Sequence, residues 1–238
     1  MTNKEFIKKL IDVAKNYKTL YVMGCFGMPM TPNNKKTIIN HHSYNQDANR
    51  AAMINNASAD TFGFDCVNLI KGILWGWNGD KTQTYGGAKY KANGVPDVSA
   101  DGMIAKCLNV STNFSNVEVG EAVWRPGHIG VYIGDGLAVE CTPSWKNCVQ
   151  ITSCNCTKSG YNRRNWTKHG KLPYITYEKN EPKKLETGND IIWEIMNGKY
   201  KIKIDDVKRA VAALDKAKNS QEYMSLYWIL YKLVNGNG

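Results

Sequence analysis

TFGFDCVNLIKGILWGW, residues 61–77, sets a cysteine at the head of an apolar run. Val67, Leu69, Ile70, Ile73, Leu74 and Trp77 recur at helical intervals, and Asp65 stands where a side-chain oxygen can accept the free amides of a first turn. Cys66 therefore falls at the start of a helix, with Gly63 expected to let the backbone turn sharply into it. A free cysteine, with a reference pKa of about 8.5, is a poor nucleophile at neutral pH. A helix N-terminus and a neighbouring histidine both favour the thiolate, so this stretch predicts a helix-borne nucleophile.

Upstream, Phe6, Ile7, Leu10, Ile11, Val13 and Ala14 are spaced between lysines as in an amphipathic helix over Met1 to Leu20, and a short apolar stretch follows from Thr19 to Met23. Residues 32–60 are polar and read as a loop with one helix near Asp47 to Asn55. Downstream, Gly76 to Asn93 is rich in glycine and polar residues, and a short helix is expected over Ser99 to Leu108. From Val117 the period changes: Glu121–Trp124, His128–Ile133, Leu137–Thr142 and Val149–Thr152 read as short strands, with Pro173–Tyr177 as a closing strand. A nucleophile helix followed by an antiparallel sheet is an α+β layout. Residues 1–177 would form this catalytic domain and residues 178–187, EKNEPKKLET, a linker. Residues 188–238, with Val207, Val211, Leu214, Leu226, Ile229, Leu230 and Leu233 at helical spacing, would form a small three-helix bundle.

The chain has four histidines. His41 and His42 lie in the polar segment and His169 among Asn and Lys, whereas His128 opens a strand in GHIGVYIGDGLAVE, residues 127–140. In a cysteine hydrolase a third polar group usually selects the imidazole tautomer. If Gly134-Asp135-Gly136 is a three-residue loop, Gly130 faces Glu140, and His128 and Glu140 share a sheet face as diagonal neighbours about 7–8 Å apart. A two-residue loop would reverse that parity and put Glu140 on the other face; without a role at the site, Glu140 reads as a solvated strand glutamate.

FDCVNL, GEAVWRPGHIGVYIGDG and the upstream YVMGCFG resemble the motifs of the NlpC-type cell-wall peptidases, papain-like enzymes of bacteria and their phages. The resemblance implies that Cys66 attacks a peptide carbonyl, His128 shuttles the proton, Glu140 orients His128 and Tyr21 lies near the substrate. It also implies cleavage of peptidoglycan stem peptides, often after D-isoglutamate. Val67, Cys25 and Glu140 stand where the family more often has Ser, Gly, and His, Asn or Gln, and the segment between Gly24 and Cys66 is long. Those departures leave the scissile bond open, since the related CHAP amidases use a similar Cys-His-acid set. Tyr21, Asp65, Gly127 and Trp124 are the residues expected along the substrate cleft. The Cys66 amide and one further donor, a role Tyr21 could share, would hold the oxyanion.

The formal charge of +10 calls for an anionic partner. Residues 178–238 hold 11 Lys+Arg and 9 Asp+Glu, so an excess of eight positive charges falls on residues 1–177. With no long basic run, zinc-finger spacing or phosphate-binding loop, peptidoglycan and its anionic polymers are the expected partners and nucleic acid is not. Seven cysteines, an odd number in a chain of this size, favour a reducing compartment. Cys154 and Cys156 are too close in sequence for a zinc knuckle, and no metal or other cofactor is expected. Neither a signal peptide nor an apolar run near the ~20 residues of a membrane span is visible, which predicts a protein cytoplasmic until host lysis. The expected function is a peptidoglycan hydrolase, a phage endolysin or a tail- or conjugation-associated lysin, with the bundle of residues 188–238 expected to bind the cell wall. A wall-binding protein with a degenerate site is the alternative of another class.

Overall fold

Thr2 starts the first helix, α1 (Asn3–Asn16): its hydroxyl accepts the amide of Glu5 at 3.2 Å while the Glu5 carboxylate accepts that of Thr2 at 2.9 Å. The structure, a computed structural model, describes residues 1–178; the remainder of the expected linker and all of the expected bundle lie outside the described residues. Strand β1 (Thr19–Tyr21) follows, then β2 (Phe26–Pro29), α2 (Pro32–His41), α3 (Ser43–Gln46), α4 (Ala48–Asn56), β3 (Phe62–Phe64) and α5 (Cys66–Leu74). After α6 (Ala100–Lys106) come β4 (Leu108–Ser111), β5 (Ala122–Arg125), β6 (His128–Gly134), β7 (Leu137–Thr142), β8 (Cys148–Cys154), β9 (Arg163–Arg164) and β10 (Lys168–Lys171). The result is a mixed α+β fold, and none of its described helices is long and apolar enough to cross a membrane.

Two sheets hold the helices. The smaller has the order β1-β3-β2, with β1 and β3 parallel; the larger runs β4-β10-β5-β6-β7-β8-β9 and is antiparallel except for its last pair. Helix α5 packs between β2 of the small sheet and β6 and β7 of the large one, so every residue in it is buried, including Asn68 and Lys71. Lys71 reaches Asp97 and the carbonyl of Val98, which satisfies a cation inside the core. Phe6, Leu10, Phe62, Phe64, Leu69, Ile70, Ile73, Ile129 and Val139 fill the main core. A smaller cluster of Val123, Ala138, Cys154 and Trp166 forms a second core around the large sheet.

Three expectations are corrected. Residues 32–60 are largely helical: Thr31 accepts the amide of Asn34, Pro32 occupies the first turn, and only Ile38 of α2 is buried, so the segment lacks the apolar stripe that announces a helix. The closing strand is β10, not Pro173–Tyr177, whose only pairing among the described residues is a bridge from Thr176 to Thr2. Its KHGK sequence looks exposed, yet His169 is buried, with Nδ1 2.5 Å from Glu121 and Nε2 donating to the Asn113 carbonyl at 3.0 Å. Gly63 makes no turn. It lies in β3, where a Cβ would come within 2.9 Å of the Cys25 sulfur and 2.8 Å of Met30 Cε, so its role is close packing.

The β6–β7 hairpin differs in a way that matters for the site. Gly134 pairs with Leu137 across a two-residue turn, Asp135 and Gly136, both at positive φ as a type I′ turn needs. That loop alone would turn Glu140 to the other face. Between Tyr132 and Gly134 the register slips by one, so Ile133 is a bulge, and Tyr132 pairs with Ala138 and Val131 with Val139. Carried one residue further, that register sets Glu140 opposite Gly130, on the face of His128.

Candidate active site

Asp65 places Cys66. Its Oδ1 accepts the amide of Asn68 at 2.7 Å, capping α5, and its Oδ2 accepts the amide of Gly24 at 2.9 Å and the Asn68 side chain at 2.6 Å. The carboxylate is buried and committed to these three donors, so it ties the Gly24 loop to the helix start and faces inward. Its burial pushes its own pKa up, against the hydrogen bonds from Asn68 and Gly24.

The Cys66 thiol is also buried, and here the expected electrostatics is reversed. Burial, then the charge of Asp65, pushes the thiol up to about 12, while the amides of Ile129, Val67 and Cys66 itself pull the other way. At neutral pH the resting group is therefore a thiol. The helix terminus contributes, but desolvation is the larger effect. Among the described residues no hydrogen bond joins Cys66 to the His128 ring; of the three amides that act on the thiol, that of Ile129 is next in the chain to His128.

His128 stands at the start of β6, opposite Arg125 on β5. Its Nε2 is 2.6 Å from Oε2 of Glu140, which is fully buried on β7. With Nε2 donating, the neutral ring keeps its lone pair on Nδ1. The ring also stacks on Trp166, with centroids 5.5 Å apart and planes 8° from parallel. Gly130 makes that stack possible: a Cβ there would lie 3.0 Å from the Trp166 ring and 2.8 Å from the Val139 carbonyl.

Glu140 has more partners than the sequence suggests. Thr152 Oγ1 donates to Oε1 at 2.7 Å; Arg164 Nε lies 3.1 Å from both oxygens, and its Nη2 lies 2.8 Å from Oε2. Burial works against the charge, but hydrogen bonds and charge from His128 and Arg164 outweigh it and hold the carboxyl below its usual range. Arg164 is itself held by Thr142 Oγ1 at 3.0 Å and stacks over Trp145, 4.5 Å from the ring centroid. Neither Arg164 nor Trp166 carries a sequence signal, because each acts through strand pairing or stacking with residues far away in the chain.

Tyr21 is buried at the end of β1, close enough to Cys66 and Asp65 that their charges, after burial, raise its phenol. Its carbonyl accepts from Arg50, whose guanidinium lies 5.6 Å from the Tyr21 ring and 5.3 Å from that of Tyr44. Asn45, fully buried in α3, binds both backbone groups of Met23 at 3.0 and 2.9 Å and the Ile38 carbonyl at 3.0 Å. The long segment between Gly24 and Cys66 is thus built onto the Tyr21–Gly24 strand end. Trp124 and Gly127 meet on α6: the indole and the Gly127 amide donate to one oxygen of Asp101, at 2.8 and 3.0 Å. Trp75 and Trp77 are core residues, whereas Trp145 is 46% exposed.

No family model and no curated protein matches this chain. Among solved structures it is similar to NlpC1 from Trichomonas vaginalis, with 11% sequence identity and a TM-score of 0.35 over 71% of this chain and 44% of that one. The chain therefore spans less than half the length of that protein.

Proposed function

We propose that this protein is a cysteine hydrolase that cleaves amide bonds in the stem peptides of bacterial peptidoglycan. The observation that carries the reading is a cysteine at a buried helix start whose thiol is acted on by the amide of Ile129, the residue after a histidine whose Nε2 is 2.6 Å from a buried carboxylate. With Nε2 held by Glu140, Nδ1 is the free base, and a thiol raised to about 12 needs a base during attack. His128 takes the thiol proton as the sulfur adds to the carbonyl, then protonates the leaving amine; water next cleaves the thioester with His128 again as base. The Cys66 amide, the first of α5, is suited to the oxyanion. Catalytic hydrogen bonds often close only on substrate binding, which fits the resting separation of thiol and imidazole.

The motif resemblance favours endopeptidase action after D-isoglutamate, and the positive charge of residues 1–177 suits an anionic wall. A phage endolysin is the setting we favour, with residues 188–238 as a wall-binding module that lacks any Cys or His of its own. Incubating intact cell walls with the wild type and with Cys66→Ser tests the chemistry: loss of turbidity should need Cys66, and equal loss from both would sink the reading. Mass spectrometry of the released fragments then identifies the bond. A new amine on the diamino acid means endopeptidase, and a freed lactyl group on muramic acid means amidase.

A further inference from the structure

The turn between β7 and β8, residues 143–147, sets a large aromatic side chain in the open. Trp145 is 46% exposed and has a φ of 56°, a left-handed backbone that a bulky residue rarely adopts. Asn147 of the same turn is left-handed too, but asparagine tolerates that conformation. A turn selected for its backbone alone would carry glycine or asparagine at 145 as well. The turn is also held at several points. Buried Gln150 donates to the carbonyls of Ser144 and Cys148 at 3.1 and 3.4 Å, the Asn147 carbonyl accepts the Tyr21 amide at 3.0 Å, and the Asn147 side chain accepts from Arg50 at 2.8 Å. A lone exposed aromatic is an ordinary surface feature. A strained one on a fixed turn is not, and strain of this kind persists at ligand clamps, where the fixed geometry is itself useful.

Its neighbours decide what the ring would meet. The Arg164 guanidinium lies over the indole, 4.5 Å from the ring centroid; Arg164 binds Glu140, and Glu140 binds His128. The ring therefore stands three contacts from the imidazole, on a turn tied through Asn147 to Tyr21 as well. Arg164 covers one face, so the exposed area belongs to the rest of the ring. We propose that Trp145 is a specificity-determining residue that stacks on a sugar ring of the glycan strand, next to the stem peptide being cut. The proposal rests on the peptidoglycan-hydrolase reading of the site. The residues of a stem peptide present no flat face, whereas a pyranose offers a flat face of C–H groups that matches an indole. Reach agrees with this, since a bond cut after D-isoglutamate lies two residues from the lactyl group of the sugar, and two extended residues span roughly 7 Å.

The test compares two soluble substrates cleaved by the full chain, a disaccharide-tetrapeptide and the same tetrapeptide without its sugars. The wild type should favour the sugar-linked substrate in kcat/KM, and Trp145→Gly should cut that preference roughly tenfold, mainly through KM, the size expected for the loss of one stacked ring. Trp145→Phe keeps an aromatic face and should retain most of the preference. A preference unchanged in Trp145→Gly overturns the proposal, and so does an equal loss on both substrates, which would mean that the ring serves only to hold Arg164. Glycine is at ease in a left-handed turn, so this variant is expected to fold. If it does not, the indole itself carries the test. In full-chain Cys66→Ser, the Trp145 indole N–H resonance, assigned by its loss in Cys66→Ser with Trp145→Phe, should move when the disaccharide-tetrapeptide is added and much less with the bare tetrapeptide. No movement, or equal movement with both, refutes the sugar contact. Wall lysis by Cys66→Ser would count against the hydrolase reading alone, since the resonance reports binding without turnover.

Discussion

Replacing Glu140 with alanine removes the acceptor of Thr152, of His128 and of two Arg164 nitrogens from a position with no solvent access. Breaking a buried ion pair from one side costs about 3–5 kcal/mol, because the surviving charge stays desolvated. Arg164 keeps Thr142 and Trp145 as partners, which places the cost toward the lower figure. For a domain of this size each kcal/mol shifts the melting temperature by roughly 2–4 °C, so a fall of roughly 6–12 °C is expected by calorimetry. Turnover of a soluble muropeptide should fall much further, by up to about 10⁴-fold, since loss of the orienting acid frees the imidazole to rotate and to adopt the wrong tautomer. Glu140→Gln fills the same space and can still accept from His128, so it should keep measurable activity, whereas His128→Ala should lose nearly all. Wild-type turnover in Glu140→Ala would refute the orienting role and turn attention to Thr142 or a backbone carbonyl. A wild-type melting temperature would refute the energetic argument.

Glu140 also has a pH signature: because folding lowers its pKa, its stabilisation is complete above the ordinary value of 4.5 and is lost as pH falls through the lower folded value, so the melting-temperature gap between wild type and Glu140→Gln should shrink below pH 4.5. A gap that widened toward acid would contradict this. With the Cys66 thiol raised to about 12, iodoacetamide should alkylate it slowly at neutral pH without substrate and faster as pH rises; rapid reaction at pH 6 would mean a preformed ion pair instead. Asn45→Ala strands both backbone groups of Met23 and should cost about 2–4 kcal/mol in a denaturant melt. Gly130→Ala puts a methyl against Trp166 and the Val139 carbonyl, and should cost about 1–3 kcal/mol while disturbing the His128 stack, seen as an altered His128 ring shift.

Much of the frame is legible in the chain. The Asp65 cap and the apolar run after it announce α5, and alternation marks β5 to β8 to within a residue or two. What the pattern does not carry is polar structure held by distant partners. Helix α2 has a cap signal at Thr31-Pro32 but no apolar stripe, and β10 hides behind a buried His169–Glu121 pair that pattern reading takes for surface. At the site, Cys66 and His128 stand out by residue type and context. The side of the sheet that Glu140 takes depends on a bulge no composition rule announces, and Arg164 reaches it from a two-residue strand. The state of the thiol is hidden for a related reason: helix-end charge is a local property, whereas the desolvation that outweighs it belongs to the finished core.

The bulge at Ile133 makes the length of the β6–β7 hairpin a matter of odd and even rather than of size. Deleting one residue there would leave both strands, the turn and the apolar character of the segment almost unchanged, yet it would carry Glu140 from the His128 side into the core beside α5. Adding one would do the same. Change by two residues would preserve which side each residue takes, so among descendants of this chain the hairpin should lengthen or shorten in pairs, and a single-residue gap in its alignment would mark a copy whose site has been dismantled.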